Sequence, residues 1–170
     1  MTKNISELTK ASIPKTENDT TQRIQDVFAK QKANLQALKN TTGKQRKRKL
    51  KALRKKIFDY REKIQEALYA DFKKPGIESD ISEIYPTISE LNNTISNFQD
   101  WMSNEEVDIP ITLIGSSAYI HFEPKGNCLV ITPWNYPFYL AISPLIYAIA
   151  AGNAAILKPS EFTPHTSHLV

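Results

Sequence analysis

The sequence predicts an α/β chain. A helical N-terminal region and a β-hairpin lead into the first strand-helix-strand of a doubly wound parallel sheet, which is incomplete at the C-terminus. Three observations predict it. Apolar residues recur in steps of three and four from Ile24 to Met102, the period of a helix. β-Branched residues then crowd 107–122 around the turn Gly115-Ser116-Ser117. Last, the continuously apolar run Cys128 to Ile131 is followed by an apolar stretch over 138–150 and a second short run over 154–157. That is the order of a buried strand, a crossover helix and a parallel neighbour.

The elements follow in order. Residues 1–17 are polar, carry no apolar period and read as a loose tail. A helical region spans 18–106. Asn18-Asp19-Thr20-Thr21 offers N-cap chemistry to a first helix striped by Ile24, Val27, Phe28, Leu35 and Leu38. That helix is expected to end near Asn40, with Gly43 as its left-handed stop. A second helix is expected from about Lys44 to Phe72, striped by Leu50, Leu53, Ile57, Tyr60, Ile64 and Leu68, and stopped by Pro75-Gly76. A third begins near Asp80, where Glu83 is placed to close a capping box, and is striped by Ile81, Ile84, Ile88, Leu91, Ile95, Phe98 and Met102. Pro86 predicts a kink or restart near Tyr85. A hairpin occupies 107–123, with Ile111, Leu113, Ala118, Ile120 and Phe122 in its two short strands. The parallel sheet opens at 124–170. Gly152-Asn153 ends its buried helix, and Thr163-Pro164 starts another as N-cap and first-turn proline. Two strands and one crossover cannot bury both faces of a sheet, so the fold is expected to be unfinished at Val170.

Composition excludes several classes. The net charge is +4, and the longest apolar run, around Leu140 to Ile149, contains Ser143 and Pro144 and is too short to cross a bilayer. A single cysteine rules out an internal disulfide framework, and the N-terminus lacks the apolar stretch of a secretory signal, so a reducing, cytoplasmic setting is expected. Nine of the 22 basic residues fall between Lys44 and Lys56. Leu50, Leu53 and Ile57 at helical spacing make that segment a surface helix with a basic outer side. No aromatic residue interleaves the run, which argues against single-stranded nucleic acid as a partner. His165 and His168, three apart, lack an evident third ligand and read as a surface pair, so no metal site is expected.

Candidate chemistry gathers where the first buried strand ends. Strand ends of a parallel sheet are where such folds present nucleotide sites. Asn135 sits at the mouth of Cys128–Ile131, just before a helix that Pro137 helps to start. An amide held there can donate to an oxygen that turns negative during acyl-type chemistry. Capping the helix is the commoner use of such a residue, and spacing alone leaves both open.

The string EPKGNCLVITPWNYPFYLAISPLIYAIAAGNAAILKPSE, with its Pro-Trp-Asn and Lys-Pro-Ser-Glu turns a helix apart, resembles the start of the cofactor-binding, Rossmann-like domain of the aldehyde dehydrogenase superfamily. The preceding DFKKP, SEI and ISELNNTISNFQDWM are similar to the class 3-type branch, which takes fatty and aromatic aldehydes. The likeness runs from about Leu35 to Val170. It implies NAD or NADP as cofactor, an aldehyde as substrate, and a homo-oligomer to which the hairpin contributes. It implies that Asn135 stabilises the oxyanion. Ile131, Thr132, Pro133 and Trp134 would line the cofactor cleft, and Tyr136 would lie near the substrate channel. Lys158, Ser160 and Glu161 would fall on the adenosine half, with Glu161 favouring NAD over a 2′-phosphate. The family's nucleophilic cysteine and activating glutamate match nothing here. Cys128 lies inside the strand and is expected to be an inert core thiol. Two readings therefore stand: part of an aldehyde dehydrogenase lacking nucleophile and base, or a non-catalytic module that pairs with full-length subunits. A third, the basic helix as a nucleic-acid or membrane contact, requires binding that collapses with salt.

Overall fold

The computed structural model describes residues 17–170; the expected tail lies outside the described residues, apart from Glu17. Helix α1 spans Glu17–Lys39, α2 Gly43–Asp59 and α3 Arg61–Phe72. A short turn of helix, α4 (Gly76–Ser79), runs through a π-turn at Asp80–Ile84 into α5 (Tyr85–Trp101). Strands β1 (Glu105–Glu106) and β2 (Tyr119–Ile120) pair antiparallel around a 3-10 turn at Ile111–Leu113. Strand β3 (Asn127–Ile131), helix α6 (Pro137–Ala151) and strand β4 (Ala154–Lys158) form the parallel unit, and α7 covers Pro164–Leu169.

One core joins the helical region to the parallel unit. Leu50 and Ile57 of α2, Ile64 and Leu68 of α3, and Ile88, Leu91, Ile95 and Phe98 of α5 bury their side chains against Phe138, Ile142 and Ile146 of α6. Burying a residue of this size contributes about 1.5–3 kcal/mol, so these eleven side chains are what hold the two halves together. Helix α6 is buried along Phe138, Ala141, Ile142, Ile146 and Ala150 but leaves Pro144 and Tyr147 exposed, where burial on nearly every side was expected. The glycine stop at Gly152, where φ is 81°, and the helix restart before Pro86 are found. Pro86 lacks an N–H, and the π-turn directly before it absorbs the register that this missing donor would have fixed.

Several expectations are corrected. Asn18–Thr21 lie within α1 rather than capping it. Ile24, Val27 and Phe28 are exposed, because α1 meets the body through its later residues, where Gln31 donates to the Ala155 carbonyl. Gly43 does not stop α1. It opens α2 behind the N-cap Thr42, which forms a capping box with Gln45. The long second helix is two, broken at Tyr60. Three- and four-residue steps cannot reveal a one-residue break that keeps Leu50, Ile57 and Ile64 on the core side. Tyr60 itself is outside the core, its ring between the ammonium groups of Lys56 and Lys63. Helix α3 ends at Phe72 as expected, and the left-handed residue that ends it is Lys73. In the hairpin, Ile111 and Leu113 lie in the 3-10 turn and the first strand is Glu105–Glu106 instead. Ile81 is exposed, and Leu129 and Ile131 of β3 are 63% and 68% exposed where a buried strand was expected. Among the described residues, β3 has one strand neighbour and incomplete cover.

Candidate active site

Parallel pairing sets the site. In register, Ile131 of β3 faces Lys158 of β4, so both strands release their chains at one edge. The Thr132 N–H extends the ladder by donating to the Lys158 carbonyl at 3.2 Å. Pro133, Trp134, Asn135 and Tyr136 then form an exposed turn, and Pro137 begins α6.

A helix start leaves four backbone N–H groups without partners. Here neither Asn135 nor the N-cap residue Tyr136 supplies a side-chain cap. The carboxylate comes from another helical segment. Glu83 Oε2 accepts the N–H of Phe138 at 2.9 Å and of Tyr139 at 3.2 Å. Its Oε1 pairs with Lys74 Nζ at 2.5 Å, and both side chains are buried. The Lys74 ammonium stands 4.9 Å from the centre of the Tyr136 ring and 5.8 Å from that of Phe72, whose ring lies 6.4 Å from Trp134. The residues on either side of Asn135 are thus each in contact with a braced group. The Asn135 amide is exposed and makes no hydrogen bond to another described residue. Of the two uses that spacing left open, capping is excluded for Asn135.

The second strand end holds the pair Lys158 Nζ and Glu161 Oε2 at 2.6 Å, both largely exposed. The lysine beside it holds the Glu161 carboxyl below the ordinary glutamate range. An ammonium donor and a carboxylate acceptor this close suit a vicinal diol, the chemistry of a ribose. Ser160 is different. It is buried, its Oγ accepts the Phe162 N–H at 3.2 Å, and its carbonyl accepts the hydroxyls of Thr163 and Ser167. Its observed work is to shape the turn. The Thr132 Oγ1 is a buried polar atom with no hydrogen-bond partner among the described residues. Cys128 lies three residues before the strand end and is half-buried rather than the core thiol expected.

Three carboxylates that carried no assigned site in the sequence organise this region. The expected capping box of Glu83 on its own helix is absent, because the π-turn presents that side chain to α6 instead. Asp71 caps α7: its two oxygens accept the N–H groups of His165 at 3.0 Å and Thr166 at 2.8 Å. Thr163 was expected to do this and makes no side-chain cap. Glu90 accepts the hydroxyls of Tyr139 and Ser143 at 2.7 and 2.5 Å. A signal was present for two of them. Glu83, Thr87, Glu90 and Thr94 recur at helical spacing one residue behind the apolar stripe Ile84, Ile88, Leu91 and Ile95, so a polar stripe shares the buried side.

A cleft of about 730 Å³ lies at the opposite end of α6, lined among others by Arg46, Trp101, Phe122 and Tyr147. The buried Arg46 guanidinium donates there to the Ala150 and Lys39 carbonyls and so caps two helix ends. The cleft takes in none of the expected site residues. No helix among the described residues is long and apolar enough to cross a membrane.

A parallel strand-helix-strand with a polar turn at each strand's carboxyl edge defines the class: an α/β fold of the nucleotide-binding kind. The pattern of the Aldehyde dehydrogenase family matches residues 2–170, and the chain belongs to that family. Relatives of known sequence place it near the class 3 branch. It is 43% identical over 125 residues to the 4,4'-diaponeurosporen-aldehyde dehydrogenase of Staphylococcus aureus, covering 74% of this chain and 27% of that protein. It is 47% identical over 116 residues to the chloroplastic aldehyde dehydrogenase family 3 member I1 of Arabidopsis thaliana, covering 68% and 21%. The substrate-bound structure of Staphylococcus aureus AldH superposes with a TM-score of 0.82 at 40% identity, over 86% of this chain and 32% of that one. The chain therefore spans about a third or less of the relatives it matches.

Proposed function

We propose that this chain supplies the oxyanion donor and part of the adenosine site of an NAD(P)-dependent aldehyde dehydrogenase that oxidises an aldehyde to a carboxylic acid through a cysteine thioester. The observation that carries the reading is the exposed, uncommitted amide of Asn135 at the mouth of β3, in the turn before a helix already capped by Glu83. Asn135 donates its amide N–H to the aldehyde oxygen as that oxygen gains negative charge. The family's nucleophilic cysteine and activating glutamate match no residue of this chain, so Asn135 acts here as a stabiliser and not as the attacking group.

NAD or NADP is the fitting cofactor, and when bound it supplies the hydride acceptor. Lys158 and Glu161 engage the ribose hydroxyls, with the carboxylate favouring NAD. Ile131, Thr132, Pro133 and Trp134 line the cleft, Ser160 holds the turn behind it, and Tyr136 borders the substrate channel. A substrate with a long apolar body fits the class 3 likeness, and the Staphylococcus aureus relative is named for 4,4'-diaponeurosporen-aldehyde. The protein acts in the cytoplasm as a homo-oligomer. The test is aldehyde-dependent reduction of NAD or NADP by the purified intact gene product, followed at 340 nm over a series of aldehydes of increasing chain length. Turnover with apolar aldehydes supports the reading; no reduction with any aldehyde refutes it.

A second reading rests on the hairpin. Ile111 and Ile114 are 81% and 80% exposed, and Tyr119 and Phe122 are about half exposed, an apolar surface suited to pairing with another subunit. A non-catalytic chain of this kind co-purifies with full-length subunits and reduces no cofactor.

A further inference from the structure

We propose that Glu83 is a positioning residue for Asn135, acting through the start of α6, with Lys74 as its obligatory counter-ion; the inference rests on the reading of Asn135 above. Asparagine is among the strongest helix-capping residues, and Asn135 lies one position before the α6 N-cap. Left open, the N–H groups of Phe138 and Tyr139 would draw in its side-chain oxygen and turn a substrate donor into a cap. Glu83 occupies both N–H groups, which removes that competition.

Lys74 answers the electrostatic difficulty this creates. A bare carboxylate beside the turn would oppose negative charge developing on a substrate oxygen. Pairing with Lys74 makes the cap neutral as a unit, and the ammonium also packs against the Tyr136 ring, one residue from Asn135. Phe72 and Trp134 hold the other flank. The pair is buried to 0% exposure at Glu83 and 8% at Lys74. Buried ion pairs are weak stabilisers because desolvation offsets their attraction. What this one does beyond stability is fix the turn that carries Asn135.

The test uses the purified intact gene product and four proteins: wild type, K74M/E83M, N135A and the triple variant. Methionine at 83 removes both acceptor oxygens, which glutamine would not, and K74M avoids stranding a buried lysine charge. Misplacing a catalytic group by an ångström costs up to about a hundredfold. K74M/E83M is therefore expected to lower kcat for aldehyde oxidation by about 10- to 100-fold, with the aldehyde KM within about threefold. On the N135A background the same pair of substitutions is expected to cost less than about twofold, since residues acting through one group are not additive. Amide exchange at Phe138 and Tyr139 is expected to quicken in K74M/E83M, with the same change in melting temperature on both backgrounds. Wild-type kcat in K74M/E83M overturns the proposal, as does an equal loss of kcat on both backgrounds, which marks general damage. A wild-type protein that oxidises no aldehyde overturns the underlying reading and the proposal with it, an outcome visible before any variant is compared.

Discussion

Replacing Asp71 with alanine tests how this chain builds its helix starts from distant carboxylates. Asp71 is 94 residues from His165, yet its carboxylate accepts the N–H groups of His165 and Thr166 and, at 2.7 Å, the Thr166 hydroxyl. Losing an N-cap costs about 0.5–2 kcal/mol. Thr166 is 1% exposed, and stranding its hydroxyl adds about 1–3 kcal/mol. The two overlap, because they share one acceptor, and about 2–4 kcal/mol is the expected total. At 1.4 kcal/mol per tenfold, that quickens hydrogen exchange of the His165 and Thr166 amides by about 30- to 700-fold. D71N, which keeps one acceptor oxygen, is expected to fall between. The assay is native-state amide exchange on the intact gene product, with Phe98 in the core as the reference position. D71A exchange within about threefold of wild type at both amides would show that solvent serves this helix start as well as Asp71 does.

Two further perturbations test other joints of the fold. G152A forces a side chain onto φ = 81° and sets its Cβ 2.4 Å from Arg46 Cζ. The left-handed conformation alone costs about 1–2 kcal/mol, and moving Arg46 disturbs its bond to the Ala150 carbonyl, so chemical denaturation is expected to show a loss above 2 kcal/mol. E90Q acts on Tyr139, whose ionisation the Glu90 hydrogen bond and carboxylate charge push above the ordinary tyrosine value. A raised folded-state value means that this contribution is complete below the ordinary tyrosine pKa and is lost as pH rises through the raised one. Phenolate absorbance is expected to show Tyr139 ionising at lower pH in E90Q than in wild type, and an unchanged titration would contradict the assignment.

Much of the fold was legible because it rests on local signals. The apolar run Cys128–Ile131, the helix after Pro137, the glycine stop at Gly152 and the restart before Pro86 each depend on neighbours in sequence. The candidate turns were legible too, since Asn135 and Lys158 sit where strands end. What escaped was long-range. Glu83 caps a helix that starts 54 residues later, and Asp71 one that starts 93 residues later, and no local pattern encodes either pairing. The exposure of Ile24, Leu129 and Ile131 escaped for the same reason, because burial is settled by what packs above a residue rather than by its type. The break at Tyr60 was hidden by a stripe that continues across it.

The most direct test of the account is the kinetic comparison of wild type and N135A in the intact gene product with an apolar aldehyde. Removing an oxyanion donor typically lowers kcat by about 10²–10³-fold. That loss is expected here, with aldehyde and cofactor KM changed by less than about threefold and no loss of thermal stability, since the structure gives Asn135 no bond to break. A variant with wild-type kcat, or one whose kcat falls only in step with its melting temperature, would contradict the claim that the turn after β3 exists to present this amide.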